Sequence, residues 1–295
     1  MIGRITSSSL SQQTLRNLQA NLLERDRLQN QATSQRAFRA PSDDPAAAAA
    51  ALGVHGEQAR VAQYARNIGD GMAWVTTADT ALSASIDLLN RARDLTVRGA
   101  NSGALSDSAR EAIAVELESI GEELVGQANT RVLGRSVFAG TSDAGRAFDP
   151  ETHAFTGTGA DGVTRRIGDG VTVRVDADGA QVFGEGADSV FALLSGIAAD
   201  LRGGADIGAR LNDIDARLDA MITAQAAVGS SQAQIERAAA QNLSVATDLE
   251  ARRSHVEDVD SLEVLVKLQS AELVYQSALQ VTAKSLQTNL LEFLR

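Results

Sequence analysis

Between residues 45 and 99 the apolar positions Val54, Val61, Ile68, Val75, Leu82 and Leu89 recur every seven residues without a miss. A seven-residue repeat keeps one stripe facing a partner helix, so the pattern predicts one long helix that runs through Gly69 and Gly71. A second column with the same spacing follows later: Ile214, Met221, Val228, Ile235, Asn242, Leu249 and Val256. Its one polar member, Asn242, either fixes the register of a coiled-coil seam or sits at the seam's edge. A shorter helix over about 106–130 carries Ile113, Leu117, Ile120 and Leu124 at helical spacing, with Ser106 or Asp107 as its cap.

The ends are amphipathic in their own right. Leu15, Leu18 and Leu22 mark an apolar face near the N-terminus, and Leu279, Leu286, Leu290 and Phe293 mark one at the C-terminal end. Such faces are sticky alone and become ordered when paired with each other or with neighbouring subunits.

The middle of the chain breaks this helical rhythm. Of the 25 glycines, 15 lie between Gly134 and Gly208, and five of the seven phenylalanines (Phe138, Phe148, Phe155, Phe183 and Phe191) fall in the same section. Stretches such as "VTVRV" alternate β-branched and polar residues between Gly and Asp turn signals. These features predict a small β-rich insert over roughly 141–187 with its own Phe core.

Composition adds limits. The three prolines, Pro41, Pro45 and Pro150, all sit at boundaries, which leaves long Pro-free stretches for helices. Aromatics are 3% of the chain while alanine runs are common, a balance suited to helices packed side by side rather than to a thick core. The net charge of −11 and the lack of a basic stripe argue against nucleic acid as a partner. With only two lysines, Lys267 and Lys284, a polybasic membrane anchor is absent, and no apolar run reaches the ~18 residues of a membrane span. The opening residues lack the layout of a cleavable signal peptide. The chain has no cysteine, which excludes a thiol nucleophile, disulfides and Cys-based metal sites, and which fits the cytosol and an exported protein equally.

Candidate chemistry is thin. Gly157, Gly159 and Gly162 form a G-x-G-x-x-G, but strand-like sequence follows where a dinucleotide site needs a helix, so it reads as a turn. The "DADG" of Asp176–Gly179 lacks the glutamate of a Ca²⁺ loop and reads as a hairpin turn. His55, His153 and His255 stand in three separate segments with no metal-ligand spacing. The acid pair Asp43 and Asp44 lies between Pro41 and Pro45. Asp44 reads as the N-cap of a helix that begins at Pro45, with Asp43 adding charge complementary to the helix end. No catalytic, cofactor-binding or metal-binding residue is assigned, and the chain reads as a non-enzyme.

The "SDDPA" at Ser42–Ala46, the following "YARNIGDGMAWVTTADTAL" (64–82) and "RARDLTVRGANSGALSD" (91–107) resemble the flagellin family of bacterial flagellar axial proteins. The likeness covers about 1–150 and 240–295. Three stretches, "MIGRITSSSL", "ANTRVLGRSVFAGT" (128–141) and "LVYQSALQVTAKSLQTNLLEFLR" (273–295), resemble the hook-associated members more than the filament flagellins. The resemblance implies a structural subunit of the bacterial flagellum, exported unfolded by the flagellar type III system without a cleaved signal. Outside the cell it would form the layer between hook and filament. Its implied partners are its own copies, the first hook-associated protein, flagellin and an export chaperone, with no nucleic acid, membrane or cofactor. Heptads alone would also serve a cytosolic coiled-coil interaction protein, and a filament-forming flagellin is the nearer alternative.

The expected fold is mainly α: a long antiparallel coiled-coil or helical bundle with a small β-rich inserted domain and amphipathic terminal helices. Its expected parts are an N-terminal segment over 1–40, disordered or helical until assembly, and a long plus a shorter helix over 41–140. The insert over 141–187, a return helix over 188–258 and a C-terminal amphipathic helix over 259–295 complete it.

Overall fold

A computed structural model describes residues 7–100, 106–158 and 162–293, with side chains described over 12–100, 106–158 and 162–284. Seven helices and four short strands are described, in the order α1 (Ser7–Ser34), α2 (Pro45–Ala100), α3 (Asp107–Ala128), β1 (Arg131–Val132), β2 (Arg135–Ser136), β3 (Thr164–Gly168), β4 (Val171–Arg174), α4 (Gly179–Phe183), α5 (Val190–Gly203), α6 (Arg210–Glu257) and α7 (Ser261–Phe293). The mainly α fold with a small strand region agrees with the expectation from sequence. By contacts the chain divides into a unit of residues 60–245 and a unit formed by residues 1–59 with 246–295.

In the 60–245 unit, α2 and α6 run antiparallel. Three contacts fix the direction: Asn242 Nδ2 donates to the Val61 carbonyl at 3.1 Å, Gln225 Nε2 to Asp79 at 3.2 Å, and Arg93 Nε to Asp215 at 2.6 Å. As the α2 number rises, the α6 number falls. Ile68, Val75, Leu82 and Leu89 from the first heptad column and Ile214, Met221, Val228 and Ile235 from the second are buried in one core cluster. Asn242 is half-buried and hydrogen-bonds across the helix pair to the Val61 carbonyl.

Helix α2 is continuous through Gly69 and Gly71, and Gly71 lies where a Cβ would touch Val175 at 3.3 Å and Ile235 at 3.4 Å. The β3–β4 hairpin lies along this stretch: Asn67 Nδ2 donates to the Arg166 carbonyl at 2.8 Å, and Arg165 pairs with Asp70 while its guanidinium covers the Trp74 ring. Ser106 is the cap of α3, its Oγ accepting from the Ala109 amide.

Four expectations need correction. The segment expected as one return helix is two, α5 and α6, because Gly204 adopts a left-handed conformation that closes α5. The phenylalanines do not form a separate core: Phe138, Phe148, Phe183 and Phe191 stack edge-on and face-on with one another, yet belong to the same buried cluster as α2, α3, α5 and α6. The hairpin turn lies at Asp169–Gly170, between β3 and β4, and not at Asp178–Gly179. Asp178 instead caps the short helix α4 by accepting from the Ala180 amide at 3.0 Å. The two-residue strands β1 and β2 form a further hairpin upstream of the expected insert.

In the other unit, α1 and α7 pack against each other. The least exposed side chains of α7 are Val264, Leu268, Ala271, Tyr275, Ala278 and Thr282, and matching positions on α1 are Thr14, Leu18, Asn21, Arg25, Leu28 and Ala32. Both series step by four and three, the spacing of a coiled-coil seam. Arg25 stacks over Tyr275 across it, 5.1 Å from the ring centre. Leu18 and Leu22 are half-buried as expected, whereas Leu15 is exposed and lies off the seam, as does Leu279. The side chains of Leu286, Leu290 and Phe293 fall outside the described residues.

Candidate assembly interface

The acid pair that opens α2 divides its work. Asp44 Oδ1 accepts from the amides of Ala46 at 3.1 Å and Ala47 at 2.9 Å, so two of the orphan donors of the helix start are satisfied and Pro45 needs none. Asp43 turns the other way. Its Oδ2 accepts from the amides of Arg39 at 3.1 Å and Ala40 at 3.0 Å, and these backbone bonds hold its carboxyl below the usual aspartate range. Asp43 thus pins the connecting loop rather than merely adding charge at the helix end.

That loop meets the end of α6 through a polar cluster. Ala37 donates its amide to the Glu257 carbonyl at 2.7 Å, and Gln35 accepts from the Val259 amide at 3.3 Å. The Glu257 carboxylate takes His55 Nε2 at 2.6 Å and Arg253 Nη1 at 3.3 Å. Burial pushes the Glu257 carboxyl up, but His55 and Arg253 outweigh that and hold it below the ordinary value. Arg253 also reaches Glu250 and Asp258.

The other sequence candidates are scattered. His153 packs on the Phe191 ring, and His255 stands in the last turn of α6, so the structure brings none of the three histidines together. Gly162 leads into β3, not into a helix, while Gly159 lies outside the described residues. Asp176 is buried against Arg174 and the Val163 amide, a structural pairing. Among the described residues no group of three or more His, Asp or Glu is placed to hold a metal ion. No described helix is long and apolar enough to cross a membrane.

A further site-like feature is a surface. Opposite its seam with α1, α7 carries a second apolar face: Leu262, Val266 and Leu273 are 77%, 63% and 66% exposed, with Leu265, Val274 and Val281 beside them. An amphipathic helix normally exposes polar residues there, and several large apolar side chains exposed on one face, here interspersed with Gln269 and Ser270, mark an interaction site. Charge reinforces the pattern. Residues 1–40 hold six arginines against two acidic residues, whereas 257–295 hold six acidic residues against three basic ones. A cleft of about 560 Å³ lies between α1 and the 35–44 loop, where exposed Leu23 adjoins Phe38, and where Arg27, Arg36 and Arg39 are balanced by Asp26, Asp43 and Asp44. Helix α7 therefore has one apolar face engaged within the chain and one left to engage something else.

Comparison with known proteins gives this surface a context. The model of the bacterial flagellin N-terminal helical region matches residues 5–143, and that of the bacterial flagellin C-terminal helical region matches residues 211–294. Flagellar hook-associated protein 3 of Salmonella typhimurium is 30% identical over 181 residues, 61% of this chain and 56% of that protein. The chain thus spans little more than half the length of that relative. Flagellin of Bacillus subtilis is 25% identical over 312 residues, covering 99% of this chain and all of that protein. In three dimensions the chain shares the fold of Bacillus cereus FlgL, with a TM-score of 0.59 and 24% identity over 68% of this chain and 99% of that one.

Proposed function

This chain belongs to the bacterial flagellin family, and on that premise we propose that it is a structural subunit of the flagellum that forms the layer joining hook to filament. The observation that carries the reading is the two-faced α7: a helix apolar both toward α1 and away from it is built to be covered by neighbouring subunits. The likeness to a hook-associated protein supports a position at the junction rather than along the filament.

The subunit passes unfolded through the flagellar type III export channel, held beforehand by an export chaperone, and needs no cleaved signal. A chain without cysteine cannot become disulfide-linked before or during that passage. Outside the cell the segments 1–40 and 259–295 take their final order on assembly, with copies of the chain, the first hook-associated protein below and flagellin above as partners. It acts by packing and not by catalysis.

A second reading, a short flagellin that builds the filament itself, draws on the full-length alignment with a filament flagellin. Deletion of the gene separates the two. The junction reading expects hooks without filaments and flagellin released into the medium, and normal filaments on the mutant would refute it. Growth of the purified chain alone into long filaments would favour the second reading.

A further inference from the structure

The tip of the β1–β2 hairpin carries a residue that the chain itself does not need there. Leu133 and Gly134 are the two central residues of the turn, with φ of +51° and +83°. A two-residue hairpin turn with positive φ at both positions favours Asn-Gly or Asp-Gly, and a bulky apolar residue at the first is disfavoured. Leu133 is also 90% exposed, the most exposed large apolar side chain among the described residues. Neither backbone preference nor burial accounts for leucine, so its use lies outside its own chain.

The same unit carries a matching recess. Where the β3–β4 hairpin lies along α2 and α6, a largely apolar notch of about 340 Å³ opens between Val61, Tyr64, Ile167, Val171, Ala238 and Val245. Val171, at its mouth, is half exposed. Asp169 stands on the rim with its side chain almost fully exposed and Arg166 3.6 Å away. The hairpin tip brings opposite charge, because exposed Arg131 and Arg135 flank Leu133. The unit as a whole is acidic, with 16 arginines against 25 Asp and Glu over residues 60–245.

From this knob, this notch and their charges we infer that Leu133 of one copy inserts into the Val61–Tyr64–Val171 notch of a second copy, with Arg131 or Arg135 meeting Asp169. The knob and the notch are different surfaces, so the contact is head-to-tail and propagates into a ring or helical array rather than closing as a dimer. It deepens the proposed function in supplying a lateral contact between subunits, and rests on that reading only in requiring that copies of the chain associate.

The cysteine-free background allows a direct test. Full-length chains carrying Leu133→Cys are mixed with chains carrying Val171→Cys, concentrated and oxidised, and disulfide-linked dimers are measured against a mixture of Leu133→Cys with Val115→Cys. Val115 is a comparably exposed position on α3. The knob-and-notch contact expects about tenfold more dimer with Val171→Cys; equal yields would overturn it. A Leu133→Asn chain separates fold from association, since Asn suits the turn. Its thermal midpoint should hold or rise while self-association, read by sedimentation, weakens about threefold or more. A lowered midpoint with undiminished association would show that Leu133 serves its own hairpin and would also overturn the inference. Both readouts use purified chains, so they stand apart from the deletion phenotype that tests the junction layer.

Discussion

His55 Nε2 lies 2.6 Å from Glu257 Oε1, joining the first turns of α2 to the last turn of α6 across 202 residues of sequence. The Glu257 side chain is only 11% exposed and its other oxygen takes Arg253, so one carboxylate gathers a histidine and an arginine next to the 35–37 and 258–260 connections. Replacing Glu257 by Gln should cost about 1–3 kcal/mol of stability at neutral pH, because polar partners are left under-satisfied. The pH dependence has a definite sign. A carboxyl held below its ordinary value of 4.5 stabilises the fold above that value, and the contribution is lost as pH falls through the lowered one. Thermal melts of the two chains should therefore differ at pH 7 and converge well below pH 4.5; a difference unchanged in acid would contradict the pairing.

Asp44 and Asp43 should separate in mutagenesis. Asp44→Ala should lose about 0.5–2 kcal/mol as an N-cap does, and Asp44→Ser should recover most of it. Asp43→Ala frees the amides of Arg39 and Ala40, so its effect should appear as faster amide exchange and proteolysis in the 35–44 loop. Equal behaviour of the two variants would argue against the division of labour.

Two glycines give opposite expectations for the same substitution. A Cβ at Gly69 meets nothing within 4 Å in the interior of α2, so Gly69→Ala should stabilise by about 0.5–1 kcal/mol. A Cβ at Gly179 would stand 2.6 Å from the Phe138 carbonyl oxygen and 3.0 Å from the Phe155 ring. Gly179→Ala should therefore destabilise by about 1–3 kcal/mol, because a backbone oxygen inside the Phe cluster has nowhere to move. Denaturant melts of the two variants check both signs.

The outward face of α7 should matter to assembly and not to the fold. Val266→Asp with Leu273→Asp places charge on exposed positions, so the purified chain should melt within about 0.5 kcal/mol of the parent. Incorporation of the variant into flagella should fail. Normal incorporation would mean that this face has another use.

How far the sequence could be read depended on how regular the burial was. The two heptad columns were legible because their central members, Val75, Leu82 and Leu89 with their partners Ile214, Met221 and Val228, are all apolar and buried. The seam of the terminal helices was not, because it includes Thr14, Asn21, Arg25 and Thr282, while Leu15, which looked like part of it, faces outward. Counting leucines finds a seam only when polar residues stay off it. The helix break was written in Gly203, Gly204 and Gly208, but a composition-level reading spread those glycines over the whole middle section. Two Asp-Gly pairs, at 169–170 and 178–179, competed for one hairpin turn, and only tertiary packing of α4 on the Phe cluster decides between them. At the candidate interface, the cap role of Asp44 was local and readable. The uncovered face of α7 was not, since it depends on which face α1 has already taken.

The proposed layer between hook and filament has a definite place on the flagellum. Immunogold labelling of intact flagella with an antibody to the 60–245 unit tests it most directly. A junction subunit gives label confined to one short band where the hook ends; label distributed along the filament would rule that position out.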